Sequence, residues 1–136
     1  MPAPDPKVIR KLQSLADLLW QAERVRLAEA LAETEARTRD AHALSDQRGA
    51  ERAIATDCTE IGAMIAAVRY ENWADGRADA LLAARDVAIS AESVARDRAI
   101  EEFGRVRALE HIEKIAVREQ DRRRRASQER DGQPEG

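Results

Sequence analysis

The sequence predicts an all-α protein, two long helices forming an antiparallel coiled-coil hairpin. Three observations predict it. Val8, Leu12, Leu15, Leu19, Ala22, Val25, Ala28, Ala32 and Ala36 advance 28 residues in eight steps, the mean of about 3.5 that marks a coiled-coil seam. Leu81, Ala84, Ala88, Ala91, Ala95, Ala99, Phe103, Val106, Leu109, Ile112 and Ala116 cover 35 residues in ten steps with the same mean. The third observation is composition. The 136 residues are 43% hydrophobic and 36% charged but only 3% aromatic, and 27 of the apolar residues are Ala. Methyl groups fill the thin seam between close helices, not a thick layered core.

The elements follow in chain order. Pro2, Pro4 and Pro6 make residues 1–5 extended and mobile. Asp5 then offers an N-cap acceptor, and Pro6 a preset first helical φ. Helix 1 is expected over about residues 6–47, since no Gly or Pro interrupts Lys7 to Arg48. Ser45, Asp46, Gly49 and Thr56 weaken the pattern and place the turn at about 48–56, with Gly62 or Asp75-Gly76 as alternative turn positions. Asp57 with Glu60 three residues on resembles a capping box, so helix 2 is expected over about 57–125. Its seam starts at Cys58, Ile61, Ile65 and Val68 and is irregular from Tyr70 to Gly76. Residues 126–136 read as a disordered polar tail. Six acid-then-base pairs stand at i, i+4: Glu33/Arg37, Glu35/Arg39, Glu92/Arg96, Glu101/Arg105, Glu110/Lys114 and Asp121/Arg125. Each adds about 0.2–0.5 kcal/mol to a solvent-bathed helix.

Composition excludes several classes. The longest apolar run, Ala63 to Val68, is far short of the roughly 20 residues a membrane span needs. The first residues lack a signal-peptide pattern, so the expected location is cytoplasmic. One cysteine, Cys58, can form no internal disulfide and has no zinc-ligand spacing around it. The net charge of −3 argues against a dedicated nucleic-acid binder. His42 and His111 stand among polar neighbours and read as surface residues. Gly62, Gly76 and Gly104 lie in no phosphate-cradling motif and read as points of close helix approach or kinking. A two-helix assembly is expected to offer no concave apolar pocket where paired carboxylates could have their acidities separated. No catalytic, cofactor-binding or metal-binding residue, no cofactor and no small-molecule substrate are expected.

The informative residues are apolar and basic ones beyond the seam. Trp20, Leu27, Leu31, Ala41 and Leu44 form a second set on helix 1, read either as flanks of a broad seam or as a face for a partner helix. Trp73, near Tyr70 and Ile65, falls where the seam loses register, a place for local filling or for a contact hot spot. Arg122, Arg123, Arg124 and Arg125 form a run that is either a solvated end or a docking element for an acidic surface.

A polar turn, the W-x3-R-x3-L stretch Trp73, Arg77, Leu81 and the element Ala99, Phe103, Gly104, Arg105, Leu109 resemble the FliJ/YscO-like coiled-coil stalk proteins of flagellar and type III export systems. The resemblance covers most of the chain. It implies a stalk with one end in the central channel of a hexameric export ATPase and the other at the cytoplasmic domain of the membrane export gate. Leu12, Leu15, Ile112 and Ile115 would mark the inserted end, and Leu44, Ile65, Tyr70 and Trp73 the gate end. It further implies a monomer or weak self-association, and only a peripheral place at the inner membrane. The alternative is a self-associating structural coiled-coil scaffold, and a third reading is an Arg-tail-driven binder of nucleic acid or a membrane surface.

Overall fold

The computed structural model describes residues 4–132. It is all-α, with α1 over Pro6–Thr56 and α2 over Ile61–Gly132 packed against each other as a hairpin. Pro4 and Asp5 precede the first helix, and residues 1–3 of the expected mobile start lie outside the described residues. Asp5 caps α1 as its chemistry requires: its Oδ1 accepts from the Lys7 N–H at 3.0 Å and its carbonyl from Val8 and Ile9.

Helix 1 does not stop at 47. It runs through Gly49 to Thr56, because one helical Gly costs only about 1 kcal/mol and Arg48 and Arg52 are tied across to α2. The turn is therefore short, residues 57–60. The first α2 bond runs from Met64 N–H to the Glu60 carbonyl, so Glu60 holds the N-cap position that the sequence assigned to Asp57. At the other end α2 stays helical through Gly132, past the expected limit at 125. Polar helix formers carry it, with Arg122 and Arg123 both reaching back to Glu119. Residues 133–136 of the expected tail lie outside the described residues.

Contacts divide the chain into two compact units, one built from the segments up to Val25 and from Asp97, the other from Arg26–Arg96. In the second unit Leu44, Ala74 and Leu81 form the buried cluster, with Ala41, Tyr70 and Ala78 packed on it. The inward positions of α2 there are Ala67, Tyr70, Ala74, Ala78 and Leu81, spaced 3, 4, 4, 3. That is a stutter in the heptad. It accounts for the irregular sequence pattern between Tyr70 and Gly76.

In the unit formed by the two outer segments, the inward positions of α1 are Ile9, Gln13, Ala16, Trp20 and Glu23. This corrects the expected seam by one residue. Val8, Leu12, Leu15, Leu19 and Val25 are all exposed, at 44–58%, because a one-residue shift rotates a stripe by about 100°. The α2 expectation fares better. Leu81, Ala88, Ala99 and Ala116 are buried and Ala84, Ala95, Val106 and Leu109 half-buried, whereas Ala91, Phe103, Ile112, Ile61, Ile65 and Val68 are exposed.

Three of the six i, i+4 pairs are formed, Glu33/Arg37 at 2.7 Å, Glu92/Arg96 at 2.8 Å and Glu101/Arg105 at 2.9 Å. Of the two expectations for the glycines, close helix approach is overturned. A Cβ at Gly62, Gly76 or Gly104 would meet nothing within 4 Å, so none marks a close helix approach.

Candidate functional site

The singled-out residues fall into different environments. In the outer-segment unit, Trp20 is half-buried in the seam, its ring 5.2 Å from that of Phe103, with the Arg24 guanidinium 5.6 Å over it. Trp20 thus packs against Phe103 and Arg24 within this unit. Arg122 to Arg125 are exposed on the last turns of α2, with Arg122 held by Glu119 at 2.9 Å. In the other unit, Leu27 is half-buried on the seam, Leu31 is exposed and Leu44 is buried in the cluster with Leu81. Leu44 therefore offers no surface to a partner. Ile65 and Trp73 are exposed, at 51% and 55%. Tyr70 is half-buried, 5.7 Å from the Trp73 ring. The structure thus brings Tyr70 to both Leu44 and Trp73, and it leaves Trp73 facing outward.

Beside Tyr70 lies the most strongly organised polar group. Arg48 Nη2 donates to Glu71 Oε2 and to Asp75 Oδ1, each at 2.6 Å. Arg52 donates to both Glu71 oxygens, at 2.8 and 3.1 Å. The hydrogen bonds from Arg52 and then from Arg48 hold the Glu71 carboxyl down at about 2, against an ordinary 4.5. Both guanidiniums are pushed above their ordinary value, chiefly by the bonds to Glu71. A carboxylate locked in its charged form can neither donate nor collect a proton near neutrality. The group is a clamp across the helices.

Next to the clamp is a groove of about 790 Å³, lined by Ala55, Cys58, Ala63, Ala67, Tyr70 and Glu71 among others. This corrects the expectation that a two-helix protein has no concave apolar pocket. Small side chains on facing helix turns leave the space. Among the described residues, no group of three or more His, Cys, Asp or Glu could hold a metal ion, and no helix is long and apolar enough to cross a membrane.

Of the residues that the structure leaves most conspicuous, the sequence reading put Val8, Leu12, Leu15, Leu19 and Ile112 on the seams and Ile115 with the inserted end, and did not single out Leu18. Val8, Leu12, Leu15, Leu18 and Leu19 on α1, and Ile112 and Ile115 on α2, are exposed aliphatics of one unit. On α1 the apolar series Val8, Leu12, Leu15, Leu19 and the mixed series Ile9, Gln13, Ala16, Trp20, Glu23 are offset by one residue, and only one of them can face α2. Compared with known protein families, curated proteins and solved structures, the chain has no significant match.

Proposed function

We propose that this chain is a non-catalytic coiled-coil stalk or adaptor of a bacterial flagellar-type protein export apparatus, acting in the cytoplasm between the export ATPase ring and the membrane export gate. The observation that carries the reading is a helical hairpin whose exposed Trp73 and Ile65 lie close to its turn. An outward Trp beside Tyr70 is a surface suited to a protein partner, because aromatic side chains bury much area at small entropic cost. The W-x3-R-x3-L resemblance supplies the kind of partner. With Leu44 inside, the gate-facing set reduces to Ile65, Tyr70 and Trp73. The Arg122–Arg125 run adds a basic element for an acidic protein surface.

The test is co-purification from the native cell of the tagged full chain, the Trp73→Ala variant and the Ile65→Ala variant, with identification of the bound proteins. The reading expects an export ATPase and a gate component with the parent chain, and loss of the gate component with Trp73→Ala at unchanged helicity. Repeated recovery of neither protein with the parent chain, or unaltered gate binding by both variants, would overturn it.

A further inference from the structure

We infer that the free protein pairs with a second copy of itself through the aliphatic face of the outer-segment unit, formed by Val8, Leu12, Leu15 and Leu19 of α1 with Ile112 and Ile115 of α2. The burial pattern of this unit is inverted. Its fully buried positions are mostly small, Ala16, Ala99 and Ala116, with Ile9 the one fully buried large side chain among the described residues, and the seam also holds the polar pair Gln13 and Glu113 and the half-buried Trp20, Val106 and Leu109. The bulkier and more regular aliphatics stand outside. Val8, Leu12, Leu15 and Leu19 repeat at 4, 3, 4, which is the knob spacing that a helix, rather than a strand or loop, accepts.

The two helices contribute to one face. Gln13 bonds Glu113 across the seam, and each has an exposed aliphatic immediately before it, Leu12 and Ile112. In an antiparallel pair these preceding positions flank the seam on the same side. The face is thus two helices wide and asks for an occupant two helices wide with the same spacing. Another copy of this hairpin offers that surface, and the product is a four-helix bundle with two-fold symmetry.

Area supports the assignment. The six residues are 40–54% exposed, which leaves roughly 500 Å² of aliphatic surface per copy, a large patch for a monomer. Two such faces bury roughly 1,000 Å² together, the least that a specific interface needs and the size of a weak, reversible pair. The charge on the α2 flank of this face is paired, Arg105 with Glu101 and Glu102, so no uncompensated charge stands beside the aliphatics there. In the export reading the same face enters the ATPase ring, so the self-pairing belongs to the protein before it meets that partner.

The test is the mass of the purified full chain by sedimentation equilibrium at tens of micromolar, together with Leu15→Glu, Leu12→Glu and, in the other unit, Val87→Glu. The expected result is twice the 15.2 kDa chain mass for the parent and Val87→Glu. The single chain mass is expected for Leu15→Glu and Leu12→Glu, with helical circular dichroism retained. Leu12 is 46% exposed, so its substitution keeps the test valid where Leu15→Glu disturbs folding. A parent chain that is monomeric throughout, or a dimer that survives both Leu substitutions, would overturn the inference. Neither result depends on whether an export ATPase binds.

Discussion

Gln13 Nε2 on α1 donates a 2.6 Å hydrogen bond to Glu113 Oε2 on α2, across 100 residues of sequence. This pair sits where a coiled coil would ordinarily place two aliphatics, and it fixes which residues of α1 face inward. Polar partners inside a seam hold register at some cost in stability. Gln13→Ala is therefore expected to lower unfolding free energy by about 1 kcal/mol, whereas Gln13→Leu with Glu113→Leu is expected to be at least as stable as the parent. Urea unfolding followed by circular dichroism reads both.

That pair also shows how much was legible in the sequence. The fold class was, because a mean spacing of about 3.5 over long Gly-poor stretches admits few other structures. The α2 seam was legible in part, since the spacing picks out the buried Leu81, Ala88, Ala99 and Ala116 although larger apolar neighbours, Leu82, Ile89, Ile100 and Ile115, stand exposed beside them. The α1 seam was not. Leu12, Leu15 and Leu19 outweigh Gln13, Ala16 and Glu23 on any hydrophobicity scale, and the value of Gln13 inside the seam depends on Glu113, which local periodicity cannot see. Of the candidate site, Ile65 was read on the seam and Trp73 as either local filling or a contact, and both are exposed, while Leu44, an isolated Leu in a polar stretch, is part of a core cluster. The turn shifted because the Arg48 and Arg52 clamps to Glu71 are long-range and carry helix 1 through Gly49.

The clamp gives a pH dependence whose sign is fixed. Glu71 titrates at about 2 in the folded chain against an ordinary 4.5. A depressed carboxyl stabilises the fold above its unfolded value and loses that contribution as pH falls from about 4.5 towards 2. Thermal unfolding of the parent should weaken through that window, and Glu71→Gln should weaken less steeply there while starting lower at pH 7. Equal slopes for both proteins would contradict the clamp.

Two helical glycines offer stabilising substitutions. With nothing within 4 Å of a Cβ at Gly76 or Gly104, Gly→Ala at either should add about 0.5–1 kcal/mol by restricting the unfolded chain. Their effects should sum in the double variant, since the two glycines lie in different units. Denaturant midpoints at unchanged m value provide the check.

Leu81 and Leu31 contrast a core position with a surface one. Leu81 is buried with Leu44 and Ala74, and Leu81→Ala should cost about 2–3 kcal/mol, the range for a buried Leu that leaves a cavity. Leu31 is exposed, and Leu31→Ala should stay within about 0.5 kcal/mol of the parent. Comparable losses for the two would show that the seam had been drawn on the wrong residues.

The central claim is the register of α1 against α2, with Trp20 inward and Leu19 outward. Proton–proton nuclear Overhauser contacts in the monomeric Leu12→Glu variant test it most directly. The account predicts contacts between the Trp20 and Phe103 rings, whose centroids are 5.2 Å apart, and none from Leu15 or Leu19 to α2 seam residues such as Val106 and Leu109. Contacts from Leu15 and Leu19 to Val106 and Leu109, with the Trp20 ring making none to Phe103, would contradict it.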